Sequence, residues 1–172
     1  MRNDNTKWDA PLGETRADVV GNKARLSLCQ LARQTILSGP ISQCLALAKQ
    51  PSANAWPEIA NGESYAIRLR RDRVLAVNGP ALADGWHEGA GVAASDMTGG
   101  YVVFELSGQR ALDILKTGTE LALNQPSGGA MRRFHRQEVA IYRWHSADTY
   151  RLHAQRGQLE SLWHLLAERV AG

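Results

Sequence analysis

One succession of strand-like and helix-like segments occurs twice in this chain, and it constrains the fold more than any other feature. The stretches AIRLRRDRVLAVNGPALADGW and AIYRWHSADTYRLHAQRGQLESLW each predict a β-hairpin, a following helix and a terminal tryptophan, Trp86 and Trp163. A predicted strand and helix precede each stretch. The order predicts an α+β fold of two β-α-β-β-α half-units with antiparallel hairpins.

The individual elements follow from apolar periodicity and from turn formers between the runs. The first half-unit is predicted to hold a strand in RQTILSG, a helix in PISQCLALAKQ, the hairpin Tyr65–Arg70 and Arg73–Val77, and a short helix in GPALADGW. The second is predicted to hold a strand in YVVFELS, a helix in GQRALDILKTG, a strand in MRRFHRQ, a hairpin in VAIYRWHSADTYRLHA and a last helix in GQLESLWHLLAERVAG. The buried stripe predicted for that helix comprises Leu159, Leu162, Trp163, Leu166 and Val170.

The chain divides into two regions that differ in polarity and periodicity. Residues 1–22 are polar and lack periodicity, which predicts an extended N-terminal arm that becomes ordered against a partner. Residues 23–172 are long enough for a single domain with a sizeable core. Its two half-units are predicted at about 23–90 and 91–172.

Composition and charge narrow the function classes. Apolar residues make up 44% of the chain and charged residues 22%, as in ordinary globular proteins. A net charge of +3 is too small to indicate a nucleic-acid partner. With neither a targeting segment nor an apolar run of membrane-spanning length, the expected location is the cytoplasm and no membrane partner is expected. Arginine outnumbers lysine sixteen to four. Two explanations are open: arginine is favoured where carboxylates are paired at interfaces, and genomic base composition can also enrich it.

A glycine pair in ASDMTGGYVVFELSGQRALDILKTG raises the question of a phosphate site. A phosphate-binding glycine loop follows a strand and opens a helix, whereas Gly99 and Gly100 precede a strand. The pair is therefore interpreted as a link into the second half-unit. Asp96 could bind a ligand, but an Asp ahead of a strand more often organises an Asx-type turn.

No catalytic or metal-binding set is predicted. Cys29 and Cys44 lack C-x-x-C or His partners and are expected to be free thiols. The five His residues show no H-E-x-x-H or comparable spacing. We therefore assign no catalytic residue and no metal to this chain, and no cofactor-binding residue can be named.

Strand parity yields the one candidate site. Tyr142 and Trp144 alternate with Arg143, and arginines likewise alternate with apolar residues in the neighbouring strands. If the apolar faces pack inward, one outer face carries four arginines. The candidate partner interface consists of Arg68, Arg70, Arg143 and Arg151. A solvated sheet face is the alternative. The cluster MRRFHRQ also offers basic and aromatic residues of the kind that bind single-stranded nucleic acid, although one cluster is little support.

A family resemblance is carried by LRRDRVLAV, by ASDMTGGYVVFELSGQRALDILKTGTELAL and by VAIYRWHSADTYRLHAQRGQLESLWHLLAERV. In order and spacing, these segments resemble the gamma subunit of heterotetrameric sarcosine oxidase. That family is related to the folate-binding aminomethyltransferase domain of the glycine cleavage system. The resemblance covers the C-terminal two-thirds of the chain, from Tyr65 onward. Gln109 stands where the family commonly has Pro, which is favoured but not required at the start of a helix.

The resemblance implies a small non-catalytic subunit with an aminomethyltransferase-like fold. Its expected partners are larger alpha and beta subunits, and these are expected to hold FAD, FMN, NAD and tetrahydrofolate. Such a complex oxidatively demethylates a secondary N-methyl amine such as sarcosine and transfers the one-carbon unit to tetrahydrofolate. The alternative function is a free-standing protein that binds folate or another small anion.

Overall fold

Two antiparallel sheets and three helices make up the structure, a computed structural model that describes residues 16–172. The strands are β1 (Val19–Gly21), β2 (Ala24–Cys29), β3 (Gln34–Ser38), β4 (Ile59–Ala60), β5 (Tyr65–Arg70), β6 (Arg73–Val77), β7 (Gly85–His87), β8 (Val92–Asp96), β9 (Tyr101–Ser107), β10 (Met131–Phe134), β11 (Gln137–Trp144) and β12 (Thr149–Gln155). The helices are α1 (Ile41–Ala48), α2 (Ala111–Lys116) and α3 (Leu159–Ala171).

The strands form a seven-stranded and a five-stranded sheet. The larger has the order β1-β2-β9-β12-β11-β10, with the short β4 paired parallel to β11. The smaller has the order β5-β6-β3-β8-β7. Apart from the β4–β11 pair, every strand pair is antiparallel. The predicted α+β class with antiparallel sheets is therefore confirmed.

Helices cover the outer face of each sheet. The secondary-structure elements therefore form four layers in the order helix, sheet, sheet, helix. Helices α2 and α3 pack on the seven-stranded sheet around Phe104, Leu152 and Leu166. Helix α1 packs on the five-stranded sheet through Cys44 and Ala48. A third apolar cluster lies between the two sheets. Both faces of each sheet are consequently buried over much of their area.

Most predicted elements are present. The first hairpin spans the predicted residues, β5 and β6, and YVVFELS forms β9. The predicted α3 stripe is buried at Leu162, Trp163, Leu166 and Val170, with Leu159 packed against the same core.

The helix predicted in GPALADGW is wrong. Residues 79–84 form no helix or strand, and the following residues form β7, an edge strand paired with β8. The segment has Gly79 and Pro80 at its start, and Gly85 at its end has φ +112°, so too few residues remain for a stable helix. As a result Trp86 is 64% exposed on β7, whereas Trp163 is 7% exposed on α3. The two tryptophans are not equivalent in the fold.

Most of the arm predicted at residues 1–22 lies outside the described residues, 16–172. Its last part is not an arm, since β1 pairs with β2 in the larger sheet. The backbone of β1 lies against the end of α3, where a Cβ placed on Gly21 would come within 2.3 Å of the Val170 carbonyl oxygen.

Strand pairing crosses the boundary predicted near residue 90. Strand β2, from the first half of the chain, pairs with β9 in the second half. Strand β8, from the second half, pairs with β3 in the first half. These long-range pairings place β3 and β9 near the centres of their sheets, and both strands contribute polar residues to the layer between the sheets.

Candidate functional site

The structure places the four candidate arginines in four different environments. Arg68 pairs with Val74, on the α1-covered side of the five-stranded sheet. Arg70 lies beyond a register shift in the same strand and donates a 2.7 Å hydrogen bond to Glu138. The expectation that these residues share one outer face with Arg143 and Arg151 is corrected by the structure.

The second hairpin shows why the shared face fails. Its register pairs Tyr142 with Arg151 and Arg143 with Tyr150, so the two arginines point to opposite faces of the larger sheet. Arg143 lies on the helix side and donates to the Pro57 carbonyl oxygen at 3.2 Å, while its Nε is buried without a hydrogen-bond partner among residues 16–172. The alternation of apolar and charged residues could not predict these two environments. It assumed one exposed face, whereas neither face of this sheet is the outside of the molecule.

Arg151 lies between the two sheets and is only 8% exposed. Its Nε donates to Glu105 Oε2 and its Nη1 donates to the Tyr65 hydroxyl, both at 3.0 Å. Its guanidinium carbon lies 3.8 Å from the centroid of the Trp144 ring. The buried cation is therefore stabilised by a carboxylate, a hydroxyl and an aromatic face at once.

A chain of hydrogen bonds continues from Arg151 through the layer between the sheets. The Tyr65 and Tyr142 hydroxyls are 2.7 Å apart, and the Tyr142 hydroxyl is 2.8 Å from His153 Nε2. His153 Nδ1 is 2.6 Å from Gln34 Oε1. Tyr65 and Gln34 belong to the smaller sheet and the other members to the larger, so three of these hydrogen bonds join the two sheets: Arg151–Tyr65, Tyr65–Tyr142 and His153–Gln34. We call Gln34, Tyr65, Glu105, Tyr142, Arg151 and His153 the inter-sheet network.

The direction of these hydrogen bonds follows from the protonation state of His153. Burial, with a further contribution from Arg151, lowers the pKa of His153 to about 3, so the ring is neutral near pH 7. An amide oxygen only accepts, so His153 Nδ1–H donates to Gln34 and Nε2 accepts from Tyr142. Tyr142 then accepts from Tyr65, and Tyr65 accepts from Arg151. All the donors therefore point along the chain in one direction.

The tyrosines of the network are held protonated. Burial raises the pKa of Tyr65, and the pKa of the fully buried Tyr142 lies well above its ordinary value for the same reason. Neither hydroxyl can lose its proton near neutral pH. The network thus resembles a structural hydrogen-bond relay rather than an acid–base pair tuned to operate at pH 7.

A cavity of about 380 Å³ opens at the Arg151 end of the network. Its walls include Cys29, Tyr65, Asn78, Trp144 and Arg151. Burial raises the pKa of the Cys29 thiol, which is therefore a weak nucleophile near pH 7. The cavity offers the Arg151 cation, a hydroxyl and an indole face to a small polar molecule, and Glu63 adds a carboxylate to the same lining.

The remaining sequence candidates serve local structure. Asp96 Oδ1 accepts hydrogen bonds from the Thr98 backbone N–H at 2.8 Å and from its hydroxyl at 2.5 Å, which confirms the predicted Asx-type turn. Gly100 and Tyr101 close the link into β9 by hydrogen bonds to the Met97 carbonyl oxygen. Within residues 16–172 no cluster of His, Cys, Asp and Glu could hold a metal ion.

Sequence reasoning missed most of the inter-sheet network. Arg151 was assigned to an exposed face, and the other five members were not predicted as site residues: Gln34, Tyr65, Glu105, Tyr142 and His153. One signal could have indicated a sheet buried on both faces, namely the almost unbroken apolar run VAIYRW in β11.

No protein-family model and no curated protein matches the chain. Among solved structures it is similar to a chain of the heterotetrameric sarcosine oxidase from Corynebacterium sp. U-96, determined in complex with pyrrole 2-carboxylate. The TM-score is 0.66 at 15% sequence identity, over 89% of this chain and 87% of that one. This chain shares the fold of a sarcosine oxidase chain. The likeness in fold therefore extends over most of both chains. No helix among the described residues is long and apolar enough to cross a membrane.

Proposed function

We propose that this chain is the small, gamma-type subunit of a sarcosine oxidase-type complex. The likeness in fold to a chain of a heterotetrameric sarcosine oxidase, over most of both chains, is the observation that carries this proposal. The larger alpha and beta subunits would hold FAD, FMN, NAD and tetrahydrofolate. The complex, located in the cytoplasm, would oxidatively demethylate a secondary N-methyl amine and transfer the one-carbon unit to tetrahydrofolate.

The state of the buried ionisable groups supports a non-catalytic role. General acid–base catalysis near pH 7 needs a group whose pKa lies close to that pH. In the inter-sheet network, burial places the pKa of His153 at about 3 and raises the pKa values of Tyr65 and Tyr142. These residues satisfy one another's hydrogen bonds, which suits a rigid scaffold held between larger chains.

One exposed aromatic residue supports assembly with another chain. Trp86 is 64% exposed on β7, an edge strand of the five-stranded sheet. Tryptophan is enriched among the residues that contribute most to binding at protein interfaces, and edge strands can pair with additional chains. Trp86 is therefore a useful probe of subunit contact.

The test is a native pull-down of tagged full-length chain from its own organism, followed by an absorbance spectrum of the eluate. We expect two larger chains and a flavin spectrum, with sarcosine oxidation in the same fraction. Trp86→Ala should weaken retention of those chains, whereas Leu123→Ala, which also truncates an exposed apolar residue, should not. A colourless, solitary chain would contradict the proposal.

The cavity beside Arg151 favours a second candidate function, binding of folate or another small anion. Arg151, Tyr65 and Trp144 border a space of about 380 Å³, within the range of small-molecule sites. A ligand that binds only the native state raises the melting temperature in a saturable way. Tetrahydrofolate should therefore raise the Tm of the purified chain, and an unchanged Tm at saturating ligand would exclude this function.

A further inference from the structure

An arginine-lined groove of about 650 Å³ lies between the end of β5 and strand β10. One wall is the end of β5 and its turn, with Arg68, Arg70 and Arg71. The other wall is β10, with Arg132 and Arg133. We call this feature the arginine groove.

The arginine groove concentrates the positive charge of the molecule. Its lining contains five arginines and one acidic residue, Glu138, which is a net charge of +4. The whole chain carries +3, so everything outside the groove sums to −1. The groove thus carries a local excess of positive charge that attracts negatively charged groups.

The five arginines differ in how they are held. Arg132 is fixed, because its guanidinium donates to the carbonyl oxygens of Gly129 and Met131 and to the Ser127 hydroxyl. Arg70 already pairs with Glu138 at 2.7 Å. This pair shows that the groove accommodates a carboxylate against a guanidinium.

Two guanidinium groups remain available for a ligand. Arg71 and Arg133 are exposed, and neither side chain makes a hydrogen bond or an ion pair within residues 16–172. The Nε of Arg68 is buried and has no hydrogen-bond partner there either. A guanidinium fork matches a carboxylate with two parallel hydrogen bonds.

The walls of the groove are edge strands. Strand β5 ends the order of the five-stranded sheet, and β10 ends the order of the seven-stranded sheet. The outer backbone groups of β5 beside the groove are already used, because the Arg68 N–H donates to the Asn54 carbonyl oxygen and the Arg68 carbonyl oxygen accepts from the Ala130 N–H. The arginine side chains of the two walls, rather than free backbone groups, would therefore recognise an extended segment in the groove, and their charge favours an acidic one.

We propose that the arginine groove receives an extended acidic segment of a partner protein, whose Asp or Glu carboxylates pair with Arg71 and Arg133. The identity of that partner as a larger subunit rests on the proposed function. A protein segment is favoured over a nucleic acid because the charge outside the groove is not positive, and a long phosphate backbone would extend beyond the groove.

The direct test uses a short fluorescein-labelled peptide of alternating Glu and Ser, titrated with the full-length chain and followed by fluorescence anisotropy. We expect saturable binding that weakens as salt is added. The double variant Arg71→Glu/Arg133→Glu should bind the peptide at least about tenfold more weakly, because it replaces the two guanidinium groups that pair with the peptide's carboxylates.

The matched control is Lys116→Glu/Arg169→Glu. These residues are exposed on α2 and α3, the helices that cover the other side of the larger sheet, and the charge change is the same. Peptide affinity should stay within about twofold, because screening limits the effect of distant charges. Equal losses in both double variants would overturn the proposal, as would tighter binding of an oligothymidylate than of the peptide. Circular dichroism establishes that each variant is folded.

Capture of partner chains separates this inference from the proposed function. If Arg71→Glu/Arg133→Glu loses the peptide but retains the larger chains fully, the groove is not the docking site and the inference fails while the complex stands. If wild-type chain captures no larger chains yet binds the peptide in the groove, the proposed complex fails while acidic-segment binding stands.

Discussion

The two buried faces of the seven-stranded sheet are held by different chemistry. Toward α2 and α3 the sheet presents fully buried apolar side chains such as Phe104, Ile141 and Leu152. Toward the five-stranded sheet it presents Tyr142, Arg151 and His153 beside apolar residues such as Ala140 and Trp144. Adjacent residues of one strand therefore supply an apolar core on one side and the inter-sheet network on the other.

The difference teaches how the two interfaces are specified. Apolar packing stabilises in proportion to buried area and tolerates small shifts, since it has no preferred direction. A chain of buried hydrogen bonds requires each donor to meet its acceptor, so a displacement leaves polar groups unsatisfied. We infer that helix packing supplies most of the stability, while the inter-sheet network sets how the sheets face each other.

The largest effect is expected from truncation in the apolar core. Phe104→Ala should lower the free energy of unfolding by about 3 to 5 kcal/mol, because it leaves a cavity among residues that cannot fully collapse. Urea denaturation measures the change. Leu123→Ala, at a position 41% exposed, should change stability by less than about 0.5 kcal/mol. Comparable losses at the two positions would contradict the assignment of the core.

The next effect is a pH dependence that belongs to the network face. His153 has a pKa of about 3 when folded and an ordinary pKa near 6.5 when unfolded, so the unfolded chain binds the additional proton. Its contribution is complete above about pH 6.5 and is lost as the pH falls toward 3, by up to about 1.4 kcal/mol per pH unit.

Urea denaturation between pH 7 and 4.5 measures this slope. His153→Gln should have a shallower slope than the wild type over that interval, because it removes the titrating ring. His164→Gln makes the same substitution at an exposed position of α3 and serves as the matched control for the change of side chain. Identical slopes for wild type and His153→Gln would show that burial of His153 does not control the acid sensitivity.

A smaller effect is expected from a single hydroxyl in the network. Tyr142→Phe leaves His153 Nε2 without a donor and Tyr65 without an acceptor, which should cost about 1 to 3 kcal/mol. The matched change Tyr150→Phe removes a hydroxyl that makes one 3.2 Å bond to the Ala147 carbonyl oxygen. It should cost about 1 kcal/mol or less. A reversed order would break the contrast between the two faces.

The smallest effect is expected at the surface. The pair formed by Arg70 and Glu138 is exposed at both ends, so a double-mutant cycle with Ala should give a coupling energy of about 1 kcal/mol or less. Added salt should reduce it further. A coupling energy well above the cost of Tyr142→Phe would show that the Arg70–Glu138 pair, and not the inter-sheet network, aligns the two sheets.

Local sequence patterns predicted the elements well where one segment decides its own conformation. The hairpin of β5 and β6, strand β9 and the apolar stripe of α3 follow from alternation, turn formers and helical spacing. The Asx-type turn at Asp96 is similarly local. The failed helix at GPALADGW was also a local matter, since Gly85 leaves too few residues after Pro80 for a stable helix.

The candidate site was not predictable in the same way. Arg143 and Arg151 alternate with apolar residues as a solvated face would, but the register of their hairpin and the second sheet decide what each one meets. Gln34 and His153 are 119 residues apart in the chain, and no local pattern indicates that they touch. The exchange of β2 and β8 between the halves is likewise a matter of long-range pairing.

The sequence by itself determined the α+β class, the hairpins, the strand β9, the last helix and the small net charge, because each depends on neighbouring residues or on composition. Only the tertiary structure decided that both sheet faces are buried, that Arg151 is a core residue and that five arginines gather in one groove. The physical reason is that a side chain's surroundings depend on strand register and sheet packing, which join residues far apart in the chain.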